Sequence, residues 1–365
     1  MHNFTLIKTK GDPGRTVNSL LAGLVEKELV QGVLTLAVGP FSSLPMPSLL
    51  CSIEQIKNSS PLAPAAGVSA AVHAARISRG PEKFRTAAVL RPCELRALVE
   101  LAKLNQARLE NLVLISMECP GRLENRRYLE LRSEHPDLDV DYYLHPDLQA
   151  EASGTCLSCT DFIPEYVHLG ICLLGLDLKQ EIGISWHQEQ GEELARVMEF
   201  VSGQESDSRR QAIKELEAAR KNAWLNLQEK TAQEISTPEG LQKAIGDCLG
   251  CFNCQRACPV CFCRDCVSSR EAFEQDPEEL YDRGARKGSL RLPTDLTMFH
   301  LTRLAHMAHA CVGCGQCSSV CPSRIPLADI FRTTGASTQE ELGYRPGRSP
   351  DEPVPLVRFS EEKDT

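Results

Sequence analysis

At 365 residues with 42% hydrophobic content, the chain is long enough to bury two or three cores. Its 49 acidic and 40 basic residues leave a formal net charge of −9; with Arg and Lys scattered, this excludes nucleic acid as an expected partner, because that affinity rests on basic contacts to phosphate. The most apolar stretch, "VHLGICLLGLDL" at 167–178, is too short for a membrane span, and the start "MHNFTLIKTKGDPGR" lacks a signal peptide's apolar run, so the expected location is the cytoplasm.

Residues 1–200 alternate short β-rich runs with helical patterns. "GVLTLAVG" (32–39), "FRTAAVLRP" (84–92) and "NLVLISMEC" (111–119) read as strands, while "TVNSLLAGLVEKELV" (16–30) and "CELRALVELAKLNQ" (93–106) read as helices. The alternation predicts an α/β domain with a largely parallel sheet, whose ligands gather where strands end and helices begin. In "KGDPGRTVNSLL", Gly11, Gly14, Arg15, Thr16 and Asn18 offer backbone N–H groups, a hydroxyl and a guanidinium suited to a pyrophosphate. Taken alone, the segment is equally an ordinary turn and helix cap. Cys51, after the Pro-rich "SSLPMPSLL", reads as an unligated thiol. Cys93 and Cys119 follow two of the strands, and Cys156 and Cys159 form a Cys-x-x-Cys pair in "TCLSCTDF". These four are candidate metal ligands from three loops or, as plainly, buried structural thiols. Cys172 lies in the apolar 167–178 run and reads as core.

The segments "RPCELRALVEL", "ECPG" and "CLSCTDF", in this order and spacing, resemble the β-subunit family of deazaflavin-coenzyme-reducing hydrogenases and formate dehydrogenases. The resemblance runs from Gly11 to about Met198 and includes "GISWHQEQGEEL" near its end. It implies a flavin (FAD), one 4Fe–4S cluster and a binding place for a deazaflavin or related hydride carrier. Carried over by position, it makes Cys93, Cys119, Cys156 and Cys159 the cluster ligands. It also makes Gly14, Arg15, Thr16 and Asn18 flavin contacts, although Arg15 departs from the family's serine- and glycine-rich turn. "NSSPLAPAAGVSAAV" (58–72) aligns with a second flavin-facing loop, which adds Asn58, Ser59 and Ser60.

Residues 201–235 are highly charged, with Ile213, Leu216, Trp224 and Leu227 on a helical stripe, and read as a solvated helix linking two domains. Cysteine then dominates 236–335; seventeen thiols in a reducing compartment point to metal rather than disulfides. "CLGCFNCQRACPVCFCRDC" opens with Cys248, Cys251, Cys254 and Cys258-Pro259, and "CVGCGQCSSVCP" repeats the spacing with Cys311, Cys314, Cys317 and Cys321-Pro322. This is the bacterial ferredoxin pattern for two 4Fe–4S clusters, in which the fourth cysteine of each run reaches the other cluster. Cys248, Cys251, Cys254 and Cys321 are therefore expected round one cluster, and Cys311, Cys314, Cys317 and Cys258 round the second. Gly250, Asn253, Gly313 and Gly315 are expected to let the loops curl. Zinc, the alternative, uses two separated Cys-x-x-Cys pairs.

Cys261, Cys263 and Cys266 remain as candidates for a further metal centre without a named fourth ligand, or as free thiols. Leu296, Phe299, Leu304 and Met307 recur near helical spacing behind Thr294 or Asp295 as N-cap, and His300, His306 and His309 read as helix-face residues. The layout resembles the α-helical ferredoxin domains of respiratory iron–sulfur subunits and heterodisulfide-reductase-type electron carriers. Residues 336–365, rich in Pro and charge, read as a tail, extended or wrapped on a partner.

Iron–sulfur clusters pass single electrons, deazaflavins and nicotinamides pass hydride, and a flavin does both. The expected chain is thus an α/β flavin and iron–sulfur domain joined to a mainly α-helical dicluster ferredoxin domain. It would serve a multi-subunit oxidoreductase of the hydrogenase, formate dehydrogenase or heterodisulfide reductase type. Its role there is to relay electrons between a hydride carrier (deazaflavin or NAD(P)H) and partner redox subunits. The alternative is a flavin-free electron-transfer adaptor between other subunits, and a zinc-stabilised scaffold is a third reading. No Gly-x-Gly-x-x-Gly follows a strand, so no Rossmann nucleotide site is expected.

Overall fold

The computed structural model describes residues 3–40, 42–81, 83–263, 266, 277–288 and 295–355. Seven strands form one sheet: β1 (Asn3–Lys8), β2 (Gly32–Gly39), β3 (Ser42–Leu50), β4 (Thr86–Leu90), β5 (Leu112–Met117), β6 (Leu169–Cys172) and β7 (Glu181–Trp186), in the order β1-β7-β6-β5-β4-β2-β3. The inner strands β2, β4, β5 and β6 run parallel. Antiparallel strands close both sides: β3 on β2, and β7 followed by β1 on β6. The sheet is therefore mixed, with the expected parallel arrangement confined to its centre.

Every residue of β4 ("TAAVL") and β5 ("LVLISM") is buried, as central parallel strands covered on both faces require. Alternate residues feed opposite cores. Val33, Ala87, Val113 and Ile115 pack with Val17, Leu21 and Leu24 of helix Pro13–Glu26. Leu34, Ala88, Leu112 and Leu114 pack with Ala71 and Ala74 of helix Ala70–Ser78 and with Leu95 and Leu98 of helix Pro92–Lys103. The prolines of "SSLPMPSLL" did not signal a strand, yet this segment is β3. At a sheet edge one side of the backbone needs no ladder bonds, so two missing N–H groups are tolerated.

The second core does not stop at the α/β part. Ile245, Phe299, Leu304, Ile330 and Phe331 belong to the same buried cluster as Leu98 and Leu114. The carboxy-terminal part, built from helices Pro238–Ile245, Asn253–Ala257, Pro277–Lys287, Asp295–Met307, Gln316–Ser319 and Leu327–Glu341, thus docks on the sheet face that carries helix Pro92–Lys103. Cysteines from both parts meet at that seam. Thr294, one of the two expected caps, lies outside the described residues.

The expected linker is helix Asp207–Glu234, but its inward face is not the apolar stripe. Ile213, Leu216, Trp224 and Leu227 are half-buried, whereas Arg209, Arg220 and Thr231, spaced at three turns of one face, are buried. Arg209 pairs with Glu118, both side chains being 3% exposed. Arg220 donates to the carbonyls of Cys119 (3.2 Å) and Pro120 (2.6 Å). This helix is a brace against the sheet's loops rather than a free spacer.

The tail also departs from expectation. Helix Leu327–Glu341 continues past residue 336, and the residues beyond it return to the chain's own α/β part. Tyr344 Oη donates to Glu100 (2.7 Å to Oε2) and accepts from Lys103 Nζ (2.8 Å), and the Gly347 N–H donates to Glu100 Oε1 (2.7 Å). Among the described residues no helix is long and apolar enough to cross a membrane.

Candidate metal centres

Three cavities at or near the seam are lined by cysteines, four in two of them and five in the third. Cys311, Cys314, Cys317 and Cys258 line the middle one, together with Arg303, Gly313, Gly315 and Phe331. Cys248, Cys251, Cys254 and Cys321 line a second, outer cavity with Phe252, Phe299 and His300. Cys93, Cys119, Cys156 and Cys159 line the third, with Gly121, Phe162 and Arg220. Each carboxy-terminal run therefore contributes three thiols to one cavity and its last thiol to the other.

The backbone explains the shared shape of the two runs. Gly250 and Gly313, both at φ 66°, make the same left-handed turn between the first and second cysteines. The next such turn falls on Gly315 (φ 74°) in one run and on Phe252 (φ 56°) in the other. Asn253, expected to provide that flexibility, instead begins helix Asn253–Ala257. A left-handed Phe is unusual; here its ring packs edge-on against Phe299, with centroids 4.8 Å apart.

The third cavity follows from the sheet. Cys93 sits in the first turn of helix Pro92–Lys103 directly after β4, and Cys119 leaves the end of β5, so both thiols stand at the carboxyl ends of parallel strands. Cys156 lies in the short helix Gly154–Leu157, and the Cys159 N–H donates to its carbonyl (3.0 Å). Gly121 (φ 126°) lets the Cys119 loop pass; a Cβ there would stand 2.9 Å from Ala152 Cβ and 3.3 Å from Cys156 Cβ. Gly313 and Cys314 line this cavity as well as the middle one, so the two share a wall.

Burial and crowding set the protonation of these thiols. Burial, followed by Cys258, pushes the Cys314 thiol up to about 12. Burial and then Cys314 hold Cys93 well above its ordinary range, and burial with Cys314 and Cys258 does the same to Cys317. Burial also raises Cys254, against the opposing pull of the Arg303 guanidinium. Such quartets cannot carry thiolate charge without a cation among them. Yet among the described residues no three Cys, His, Asp or Glu side chains close round a point where a single metal ion could sit.

His300, expected on a helix face, is buried there with Nε2 3.4 Å from Cys248 Sγ, and burial followed by Arg303 lowers it to about 4. His309 is buried beyond the end of its helix, and His306 is exposed. Arg303, which the sequence did not single out, donates from Nη1 to Cys254 Sγ at 3.0 Å. Both contacts belong to one helix face, three residues apart, a spacing visible in "HLTR" once the helix is known. Cys261, Cys263 and Cys266 line none of the three cavities: Cys261 packs on the core, Cys263 is exposed and Cys266 is half-buried. Cys51 is exposed and Cys172 is buried.

Of the seven residues expected to touch a flavin, most direct polar groups to neighbouring backbone or side chains, and Asn18 and Ser59 bond one another. Helix Pro13–Glu26 starts earlier than expected, with Asp12 as N-cap accepting from the Arg15 N–H (2.8 Å), so a carboxylate stands where a phosphate would. The Arg15 side chain, 85% exposed, lies 3.8 Å from that same carboxylate. Thr16 Oγ1 donates to the Asp12 carbonyl (2.8 Å), and Gly14 packs on Val140. Asn18 Nδ2 donates to the carbonyls of Lys57 and Ser59, and Ser59 Oγ donates to Ile56 O. Asn58 caps helix Ile53–Lys57, and the Ser60 N–H donates to Leu36 O. As folded, these residues do not fit a pyrophosphate.

Comparison with known proteins covers nearly the whole chain. Residues 247–325 match the family model described as a 4Fe-4S dicluster domain. The F420-dependent formate dehydrogenase subunit beta of Methanocaldococcus jannaschii is 27% identical over 93% of this chain and 93% of its own length. The F420-dependent formate dehydrogenase 1 subunit beta of Methanococcus maripaludis is 27% identical over 96% and 95%. The sulfhydrogenase 2 subunit beta of Pyrococcus furiosus is 31% identical over 25% of this chain and 31% of its own. A chain of the F420-reducing NiFe hydrogenase complex from Methanosarcina barkeri overlaps 60% of this chain and 85% of its own with a TM-score of 0.45 and 12% identity. The chain is homologous to the beta subunits of F420-dependent formate dehydrogenases and carries a 4Fe-4S dicluster domain in its carboxy-terminal part.

Proposed function

We propose that this protein is the electron-transfer subunit of an oxidoreductase complex and holds three 4Fe–4S clusters in a row. The observation that carries the reading is the row itself. The amino-terminal cavity shares Gly313 and Cys314 with the middle one, and Arg303 lines the middle one while bonding Cys254 of the outer one. The outer end reaches the surface, where Cys251 is exposed beside Leu249, 61% exposed. A 4Fe–4S cluster supplies reversible one-electron storage. The protein supplies thiolates, dry walls and N–H groups aimed at sulfur. Single zinc ions are disfavoured, because zinc sites draw on two separated Cys-x-x-Cys pairs, whereas both carboxy-terminal runs carry the cubane spacing ending in Cys-Pro.

The relatives' names support a deazaflavin at one end of such a row, and a flavin would be the natural converter between hydride and single electrons. The residues carried over for FAD are bonded within the chain, which favours the flavin-free adaptor as the form of this relay. Partner redox subunits of the formate dehydrogenase or hydrogenase kind, as the relatives have, complete the proposal.

Anaerobic purification of the full chain tests it. The expected content is about twelve irons and about twelve labile sulfides per chain, four for each cubane. Zinc in place of iron would overturn the reading, and released flavin would restore the flavoprotein form. Gly121→Ala, which forces a Cβ against Ala152 and Cys156, is expected to lower iron by about a third while leaving the other two clusters' spectra intact.

A further inference from the structure

Arg303 lies on helix Asp295–Met307, 4% exposed, between the outer and middle cavities. Nη1 donates to Cys254 Sγ (3.0 Å) and Nη2 to the Cys254 carbonyl (3.2 Å). The guanidinium also stacks on the Phe331 ring, 4.7 Å from its centroid, and faces Phe299 at 5.6 Å. Among the described residues its partners are this sulfur, this carbonyl and these two rings; no carboxylate is among them. A permanent cation has thus been buried with sulfur as its counter-charge. A buried Arg so placed would be costly unless anionic groups on both sides compensate it.

We infer that Arg303 sets the potential difference between the two carboxy-terminal clusters, making the outer one the better electron acceptor. The inference rests on the three-cluster reading. Reduction adds one negative charge to a cubane, and a nearby cation or an N–H bond to sulfur favours that state. The guanidinium lines the middle cavity and acts on its quartet through space, whereas its hydrogen bond goes to a sulfur of the outer quartet, Cys254. His300, beside Cys248 on the same helix face, adds a second polar contact to the outer quartet and leaves the middle one without a counterpart from this helix. Electrons arriving through the middle cluster would therefore settle at the surface end, where Cys251 is exposed.

The test is an EPR-monitored redox titration of the full chain, purified anaerobically, comparing wild type with Arg303→Gln and Arg303→Lys. In Arg303→Gln the reduction equilibrium of one cluster should fall by about tenfold or more, about 59 mV for one electron, and the other cluster's by less. The more affected signal should be the one missing from Cys321→Ala. Arg303→Lys, which keeps the charge but loses the fork, should show a smaller fall in the same signal and stands in if Arg303→Gln does not load iron. Unchanged potentials at full iron content, or equal falls in both clusters, would overturn the inference. Wild type without iron would instead overturn the three-cluster reading.

Discussion

Replacing Cys321 with alanine is expected to remove the cluster of the other run. Cys321 follows Cys317 by four residues, yet it lines the cavity of Cys248, Cys251 and Cys254. Cys258 makes the reciprocal crossing into the cavity of Cys311, Cys314 and Cys317. Loss of one thiolate from a buried quartet leaves an iron corner without its ligand, so iron should fall by about a third. The spectrum of Cys321→Ala should then match that of Cys248→Ala and differ from that of Cys311→Ala. A match with Cys311→Ala would mean that each run closes on itself, and the crossing would be wrong.

Breaking the Glu118–Arg209 pair should have the largest effect on stability of any change outside the cysteines. Glu118, at the end of β5, accepts from the backbone N–H groups of Leu173 (2.8 Å) and Leu174 (2.9 Å) as well as from Arg209. It ties three segments of chain at one buried point. Arg209→Met leaves the carboxylate without its cation, a change that costs about 3–5 kcal/mol for a buried pair. Glu118→Gln should cost less, because the amide oxygen can still accept from the backbone. Chemical denaturation read by circular dichroism checks the order. Since the same helix places Arg220 on Cys119 and Pro120, Arg209→Met should also make the amino-terminal cluster the first to bleach in air.

Legibility in the sequence followed the physics of each element. The two carboxy-terminal runs were readable with their crossing because cubane ligation fixes both residue type and spacing. The three central strands were readable because full burial on both faces leaves β4 and β5 almost wholly apolar, Thr86 and Ser116 being their polar residues. Cys93, Cys119, Cys156 and Cys159 were ambiguous by spacing alone, since their convergence depends on which strands lie side by side, and only the family likeness joined them. The two edge strands β1 and β3, and the antiparallel β7 beside β1, were missed: they carry mixed patterns and, in β3, prolines, which an edge position tolerates.

Buried charge was the least legible of all. Arg209, Arg220 and Arg303 occupy inward faces where periodicity looks for apolar side chains, and each is there to meet a carboxylate, carbonyls or a sulfur that the helix itself does not contain. Phe252 takes a left-handed turn that composition assigns to Asn or Gly, held by a ring contact with a residue far along the chain. At the flavin residues, a helix start with Gly, Arg, Thr and Asn resembles an anion site, and Asp12 caps that start.

The most direct single measurement is anomalous diffraction at the iron edge from anaerobically grown crystals of the full chain. Three peaks are expected, the central one lying between Cys258 and Cys314 and the flanking ones beside Cys251 and Cys119. Two peaks only, or scattering at the zinc edge in place of iron, would contradict a row of three clusters.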